Sequence, residues 1–199
     1  MNIEIKKLTP DMAEDYVRFF NNTPHNEKHN MKCFCVCWCS NVPEGFDVRP
    51  EEAVALQFVR NGNLQGYLAY FEGNVVGWVN ANTKSECLNC LGWQWGRTTY
   101  PTDSATDRYT KSIFCFTIAP KFQRKGIATQ LLERVCQDAE QDGFHFVEVY
   151  PDKILNENSE NFVGYTEMYE KLGFTVFYET ENRCVMRKVL KQNQRGEQE

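Results

Sequence analysis

The stretch from Lys111 to about Asp142 does most to limit what this chain can fold into. Lys111 to Ile118 is rich in aromatic and β-branched residues and predicts a strand. Ala119-Pro120 closes it, because proline has no amide to give to a ladder. From about Arg124 to Asp142, Ala128, Leu131, Leu132, Val135 and Ala139 recur at helical spacing and form one apolar face. Between strand and helix stands Gln123-Arg124-Lys125-Gly126-Ile127-Ala128. The first amides of a helix have no partners within it, and its dipole is positive at that end, so an anion is favoured there. Gly126 has no Cβ and lets a phosphate approach the backbone. Physics alone therefore describes a strand, a turn and a helix with a cradle for a pyrophosphate.

The rest of the chain supplies a sheet for that unit. Asn2 to Leu8 alternates as a half-buried strand does, and Thr9 can cap a helix running from Pro10 to about Phe20. A second helix is expected over about Pro50 to Arg60, stopped at Gly62. Tyr67–Phe71 and Val75–Ala81 read as a hairpin around Glu72-Gly73-Asn74, followed by a polar loop with aromatic residues from Asn82 to about Thr110. After the long helix come a buried strand at Phe144–Tyr150, a polar loop, a short helix over about Val163–Leu172, and two last strands at Phe174–Glu179 and Cys184–Leu190. The expected organisation is one domain over residues 1–190, with a frayed polar tail at 191–199.

Composition narrows the class. A chain of 199 residues with 42% hydrophobic and 14% aromatic content can bury a core and is not disordered. Its net charge of −5 argues against nucleic acid or an anionic membrane as partner and agrees with a cationic amine substrate. The first residues lack the apolar stretch of a signal peptide, and nine cysteines without one suggest reduced thiols in the cytoplasm.

Gln123-Arg124-Lys125-Gly126-Ile127-Ala128 resembles the Gln/Arg-x-x-Gly-x-Gly/Ala signature of the GCN5-related N-acetyltransferases, the GNAT superfamily. The preceding strand, Ala119-Pro120, and Leu131-Leu132 on the helix stand where that family has them. Gly77-Trp78, Tyr150-Pro151 and Gly173-Phe174 are similar to markers of one group within it. The resemblance implies an α/β (α+β) fold. Its sheet is mixed and mostly antiparallel, has six to seven strands flanked by helices, and splays between strands 4 and 5. It implies acetyl-CoA as co-substrate, no metal, and a small-molecule or peptide amine as acceptor. It also admits a homodimer.

Site residues follow from the same resemblance. Backbone contacts to the pantetheine arm fall to Phe116, Thr117 and Ile118, and pyrophosphate contacts to Arg124, Lys125, Gly126, Ile127, Ala128 and Thr129. An oxyanion donor is expected on the same strand, from the Ile118 amide, freed by a local bulge. Glu148 is the expected base that takes the amine's proton, directly or through water; the alternative is a solvent-facing or structurally paired carboxylate. Tyr169 is the expected general acid for the departing thiolate, against the reading of a core tyrosine. Where many members carry an asparagine seven residues before that tyrosine, this chain has Phe162. The amine is expected to attack directly in a ternary complex rather than through a cysteine relay. A catalytically idle fold that senses coenzyme A is the rival reading.

Cys33, Cys35, Cys37 and Cys39 alternate, Cys87 and Cys90 form a separate pair, and His25 and His29 stand four apart. Thiols in strict alternation on a strand lie in a row and cannot surround zinc; only a tight loop could gather them. Buried packing or lining of the acceptor pocket is the expected role, with a bound metal or a disulfide or redox role as the alternatives. Trp38, Trp93 and Trp95 suggest either packing or an aromatic wall for a cationic amine.

Overall fold

A tight turn at Glu72-Gly73, both with positive φ, joins β2 (Gly66–Phe71) to β3 (Asn74–Thr83) and gives the hairpin expected there. We describe residues 1–23, 33–38, 52–153 and 162–191 of a computed structural model. The hairpin lies inside a seven-stranded sheet of order β1-β2-β3-β4-β5-β7-β6. The other strands are β1 (Glu4–Lys7), β4 (Thr110–Ile118), β5 (Phe146–Val149), β6 (Thr175–Glu179) and β7 (Cys184–Val189). Every neighbouring pair is antiparallel except β4 with β5.

That parallel pair positions the site. It runs only from Thr110 opposite Phe146 to Ile113 opposite Val149. β5 then ends, while β4 continues to Ile118. The sheet therefore opens into a wedge at the middle of β4, as the resemblance implied.

β4 also carries a bulge. Asn80 faces Cys115 and Ala81 faces Ile113, so Phe114 is an extra residue with no partner on β3. The side-chain alternation changes phase there. Ile113 and Phe116 consequently enter the same core cluster, while Phe114 joins a different one.

Two layers cover the sheet. On one face lies α6 (Ile127–Gln141), whose Ile127, Leu131, Leu132, Val135 and Ala139 pack on Val79, Ala81, Ile113 and Val147. On the other lie α1 (Ala13–Asn22) and α2 (Glu52–Arg60), closing Tyr16, Phe20 and Val59 over Leu68 and Trp78. Gly77 lets the first layer come close. A Cβ there would stand 2.9 Å from Ile118 and 3.1 Å from Ile127, the first residue of α6.

Local structure departs from the sequence reading at four places. The helix expected from Arg124 begins at Ile127, because Arg124 (φ 60°) and Gly126 (φ 79°) are left-handed and cannot be helical. The helix expected from Val163 begins at Thr166 as α7 (Thr166–Lys171), after Gly164 with φ 83°. Thr9 stands at the expected cap position, but its side chain makes no cap hydrogen bond there. The loop after β3 contains three helical turns, α3 (Lys84–Cys87), α4 (Leu91–Gln94) and α5 (Ser104–Asp107). Four-residue turns are too short to show a periodicity.

Lys111 is a buried cation at the start of β4. Its ammonium lies 4.4 Å from the centre of the Phe144 ring, and burial, then the Lys7 charge, pull the amine down to about 8. Between that value and the ordinary one near 10.5, the unfolded chain holds a proton that the folded chain has released, so stability rises with pH across that window. We expect Lys111→Met to stabilise the protein by about 2 kcal/mol at pH 7, and the gain to shrink towards pH 10. Urea unfolding at both pH values measures it, and an unchanged or lower midpoint at pH 7 would contradict it.

Candidate active site

The turn before α6 is tied to the end of β4, since the Gln123 side chain donates to the Ile118 carbonyl at 3.2 Å. Gly126 is the N-cap residue, and its carbonyl accepts the first helical bond, from Gln130 at 3.0 Å. No side chain caps the helix and no acidic residue lies in its first turn, so the amides of Ile127, Ala128 and Thr129 keep their bias toward an anion. Space is open where a Gly126 Cβ would be, and Arg124 and Lys125 are exposed beside it. The residues present fit a diphosphate.

The wedge beside this cradle is lined by β4 backbone. Trp78 pairs with Thr117, and the Ala119 amide donates to Val76 at 2.9 Å. In an antiparallel ladder, amides alternate between the two sides. Thr117 and Ala119 thus spend their amides on β3, and Phe116 and Ile118 direct theirs into the wedge. The Phe116 amide donates to the Phe162 carbonyl at 2.6 Å. The Tyr169 hydroxyl, on α7, donates to the Val163 carbonyl. The segment from Phe162 to Gly164 therefore lies in the wedge, with two successive carbonyls on its two polar groups. Phe162 acts through its main chain, which its side-chain identity could not reveal.

Tyr169 is enclosed by its own helix cap. The Phe174 amide donates to the Tyr169 carbonyl at 3.1 Å, and the two rings meet edge-on at 5.6 Å. Burial, then the Cys115 thiol, push the Tyr169 phenol well above its ordinary range, so it keeps its proton at neutral pH.

Glu148 lies in a closed charge cluster. Arg187 donates through Nε to its Oε1 at 2.8 Å, while Lys84 at 3.0 Å and the Tyr150 hydroxyl at 3.1 Å hold its Oε2. Lys84 also pairs with Asp107 at 3.0 Å and donates to the Pro101 carbonyl at 2.8 Å. Lys84, Asp107, Tyr150 and Glu148 are all buried. Of the roles weighed from the sequence, pairing with basic neighbours is the one this geometry displays. Lys84 and Arg187 come from distant parts of the chain, and no local pattern marks them.

Next to this cluster, aromatic rings stack across the end of β5. Trp38 lies on Phe114 at 4.3 Å, Phe114 on Tyr150 at 5.4 Å, and Tyr150 on Tyr100 at 5.5 Å. Trp93 meets Phe114 and Tyr150 edge-on, whereas Trp95 is 62% exposed and takes no part. The cation against this wall is the protein's own. The Arg97 guanidinium stands 4.3 Å from the Trp38 ring and 5.5 Å from that of Tyr150.

The sequence model of the Acetyltransferase (GNAT) family matches residues 29–174. The chain belongs to the GNAT family. Among solved structures, it resembles the PaiA N-acetyltransferase of Thermoplasma acidophilum in complex with coenzyme A, at 16% identity over 95% of this chain and 99% of that one, with a TM-score of 0.55. It resembles YncA of Salmonella typhimurium with its cofactor acetyl-CoA, at 14% identity over 97% and 96%, with a TM-score of 0.57. A third likeness is to the ribosomal-protein-S18-alanine N-acetyltransferase of Escherichia coli, at 13% identity over 98% and 97%, with a TM-score of 0.52. At such identities the structures share the fold alone. No curated protein matches the chain.

Within this GNAT fold the cysteines are packed. Cys35 has positive φ and precedes a 3-10 turn at Val36–Trp38, so Cys33, Cys35 and Cys37 sit in a tight loop and not on a strand. Neighbouring thiols and burial push Cys35 and Cys37 well above the ordinary thiol range: Cys115, Cys33 and burial for Cys35, Cys33 and burial for Cys37. Both therefore stay protonated and unreactive. Among the described residues no group of three His, Cys, Asp or Glu side chains could hold a metal. His25, His29 and Cys39 lie outside the described residues.

Removing the Glu148 charge leaves Arg187 without its carboxylate and Lys84 with one of its two. We expect Glu148→Gln to lower stability by about 3 kcal/mol. Urea unfolding measures it, and a variant as stable as the parent would show that the cluster does not hold the fold.

Proposed function

We propose that the chain transfers an acetyl group from acetyl-CoA to a primary amine, by direct attack within a ternary complex. The observation that carries this reading is the wedge: two β4 amides point into it, at Phe116 and Ile118, and it opens beside the uncapped start of α6. The cradle of Arg124, Lys125, Gly126, Ile127, Ala128 and Thr129 takes the diphosphate. β4 takes the pantetheine arm between Phe116 and Ile118, with Thr117 in register on β3 between them. The likeness to proteins solved with coenzyme A and acetyl-CoA supports it.

Each step then falls to a group of this chain. The Phe116 amide, which lies just past the bulge, gives up the Phe162 carbonyl and donates to the thioester oxygen as charge develops there; Ile118 is the second donor on that edge. Tyr169 exchanges the Val163 carbonyl for the sulfur and gives its proton to the departing thiolate. Glu148, with both oxygens engaged, orients Tyr150 and takes the amine's proton only through that hydroxyl.

Residues 1–190 form one catalytic domain in this reading, with 191–199 as its tail. The protein works in the cytoplasm, and a homodimer is compatible with it. The engagement of Glu148 and of the Phe116 amide favours one other reading, a coenzyme-binding fold without turnover.

Two variants test the reading. Tyr169→Phe should lower kcat about 100-fold against any amine that is acetylated, while acetyl-CoA binding is kept. Unchanged turnover would remove Tyr169 from the chemistry. Gly126→Glu places bulk and negative charge in the cradle and should abolish acetyl-CoA binding by calorimetry, with the circular dichroism of a folded protein. Retained binding would mean that the diphosphate sits elsewhere.

A further inference from the structure

Arg97 is a cation that pairs with no carboxylate among the described residues. Its Nε is enclosed and makes no hydrogen bond, and its Nη1 reaches only the Gly92 carbonyl, at 3.4 Å. Burial pulls the guanidinium below its ordinary value, the direction of an uncompensated buried charge. Beside it stands the buried Tyr100 hydroxyl, which makes no close hydrogen bond and has only the Arg183 guanidinium near it among the described residues. Enclosed donors left unpaired cost about 1–3 kcal/mol each, and two together at one place call for an explanation.

Among the described residues, the neighbouring acids are already taken. Asp107 belongs to Lys84, Glu148 to Lys84 and Arg187, and Asp152 to Arg183 at 3.0 Å. Arg183 further donates to the Gly96 carbonyl at 3.2 Å, which fixes the chain next to Arg97. Arg97 is thus held in place with no acid on its guanidinium among the described residues.

Its place is at the parting of the strands. Phe114, against which Arg97 stands at 5.6 Å, is two residues before Phe116, and Tyr150 follows the last residue of β5. Trp38 packs both on this cluster and on the one that contains Cys115 and Phe162, so the stack is continuous with the wedge.

We infer that Arg97 is the anchor for a carboxylate on the acceptor, so that the acetylated amine is carried by an amino acid or a similar amino-carboxylate. This deepens the acetyltransfer reading and rests on it. The guanidinium fork takes the two carboxylate oxygens, Tyr100 adds a hydroxyl donor, and the rings of Trp38, Phe114 and Tyr150 exclude water around the pair. A purely cationic amine would meet like charge at this wall instead.

The test uses the full chain with acetyl-CoA and the α-amino acids, each beside the amine that lacks its carboxylate: tyrosine with tyramine, lysine with cadaverine, histidine with histamine. 4-Aminobutyrate and β-alanine are included, and products are read by mass spectrometry. At least one amino-carboxylate should be acetylated with kcat/KM about 100-fold above its decarboxylated partner. Arg97→Gln should remove that advantage while acetyl-CoA affinity stays as it was. Arg97→Lys, which keeps charge but loses the fork, should fall between, and it serves if the Gln variant does not fold. A protein that binds acetyl-CoA yet prefers the plain amines, acetylates no carboxylate in the panel, or is indifferent to Arg97→Lys overturns this inference alone. A parent protein that binds no acetyl-CoA overturns the acetyltransfer reading and this one with it.

Discussion

The parting of β4 from β5 is the constraint on which the rest depends. A parallel pair leaves each strand's amides in need of partners along its whole length, and β5 supplies them for only four residues. Beyond Ile113, the β4 edge has unpaired donors inside the protein. An unpaired buried amide is costly, so something must meet it. Here the Phe162 carbonyl does so for Phe116, and the crossover from β5 to α7 is thereby drawn into the wedge. The same donors are what a thioester carbonyl and a pantetheine amide would need. Fold and candidate site are one problem of backbone hydrogen bonding, solved internally in the structure by the Phe162 carbonyl.

The bulge at Phe114 sets how the two sides of the wedge differ. By changing the phase of β4, it sends Phe116 to the α6 side and Phe114 to the aromatic stack. Two residues two apart on one strand thus face two different core clusters of the fold. Behind them, Lys84, Asp107, Glu148 and Arg187 bind the β3–β4 connection, β5 and β7 into one charge cluster. A buried cluster of this kind adds little net stability over apolar packing, but it penalises any arrangement that separates its members. It therefore holds the short β5 in place at the point where the sheet would otherwise come apart.

Much of this was legible in the residues. The apolar face of α6, the strand before it and the glycine in the turn identify the cradle, because each is a local pattern with a local physical cause. The family follows from the same stretch, and so does Tyr169, whose Gly173-Phe174 cap stands close to it in sequence. Glu148 was legible as an acid within an apolar strand, but its partners were not: Lys84 and Arg187 reach it across the sheet, and nothing near them in sequence announces a carboxylate. Arg97 was passed over altogether. It lies in a loop of short helical turns without periodicity, and the only signal was an arginine amid tryptophans that looked like a wall awaiting a cation.

The chain by itself determined the order of elements, the uncapped glycine turn at the head of α6 and the identity of the family, since these rest on periodicity, on turn chemistry and on contacts between near neighbours. The tertiary structure alone decided which amides of β4 face the wedge, that Phe162 serves through its carbonyl, that Glu148 is bound by three partners, and that Arg97 pairs with no carboxylate among the described residues. Those outcomes depend on register, on one bulged residue and on long-range charge pairing, and a register is a property of two strands together that neither one carries alone.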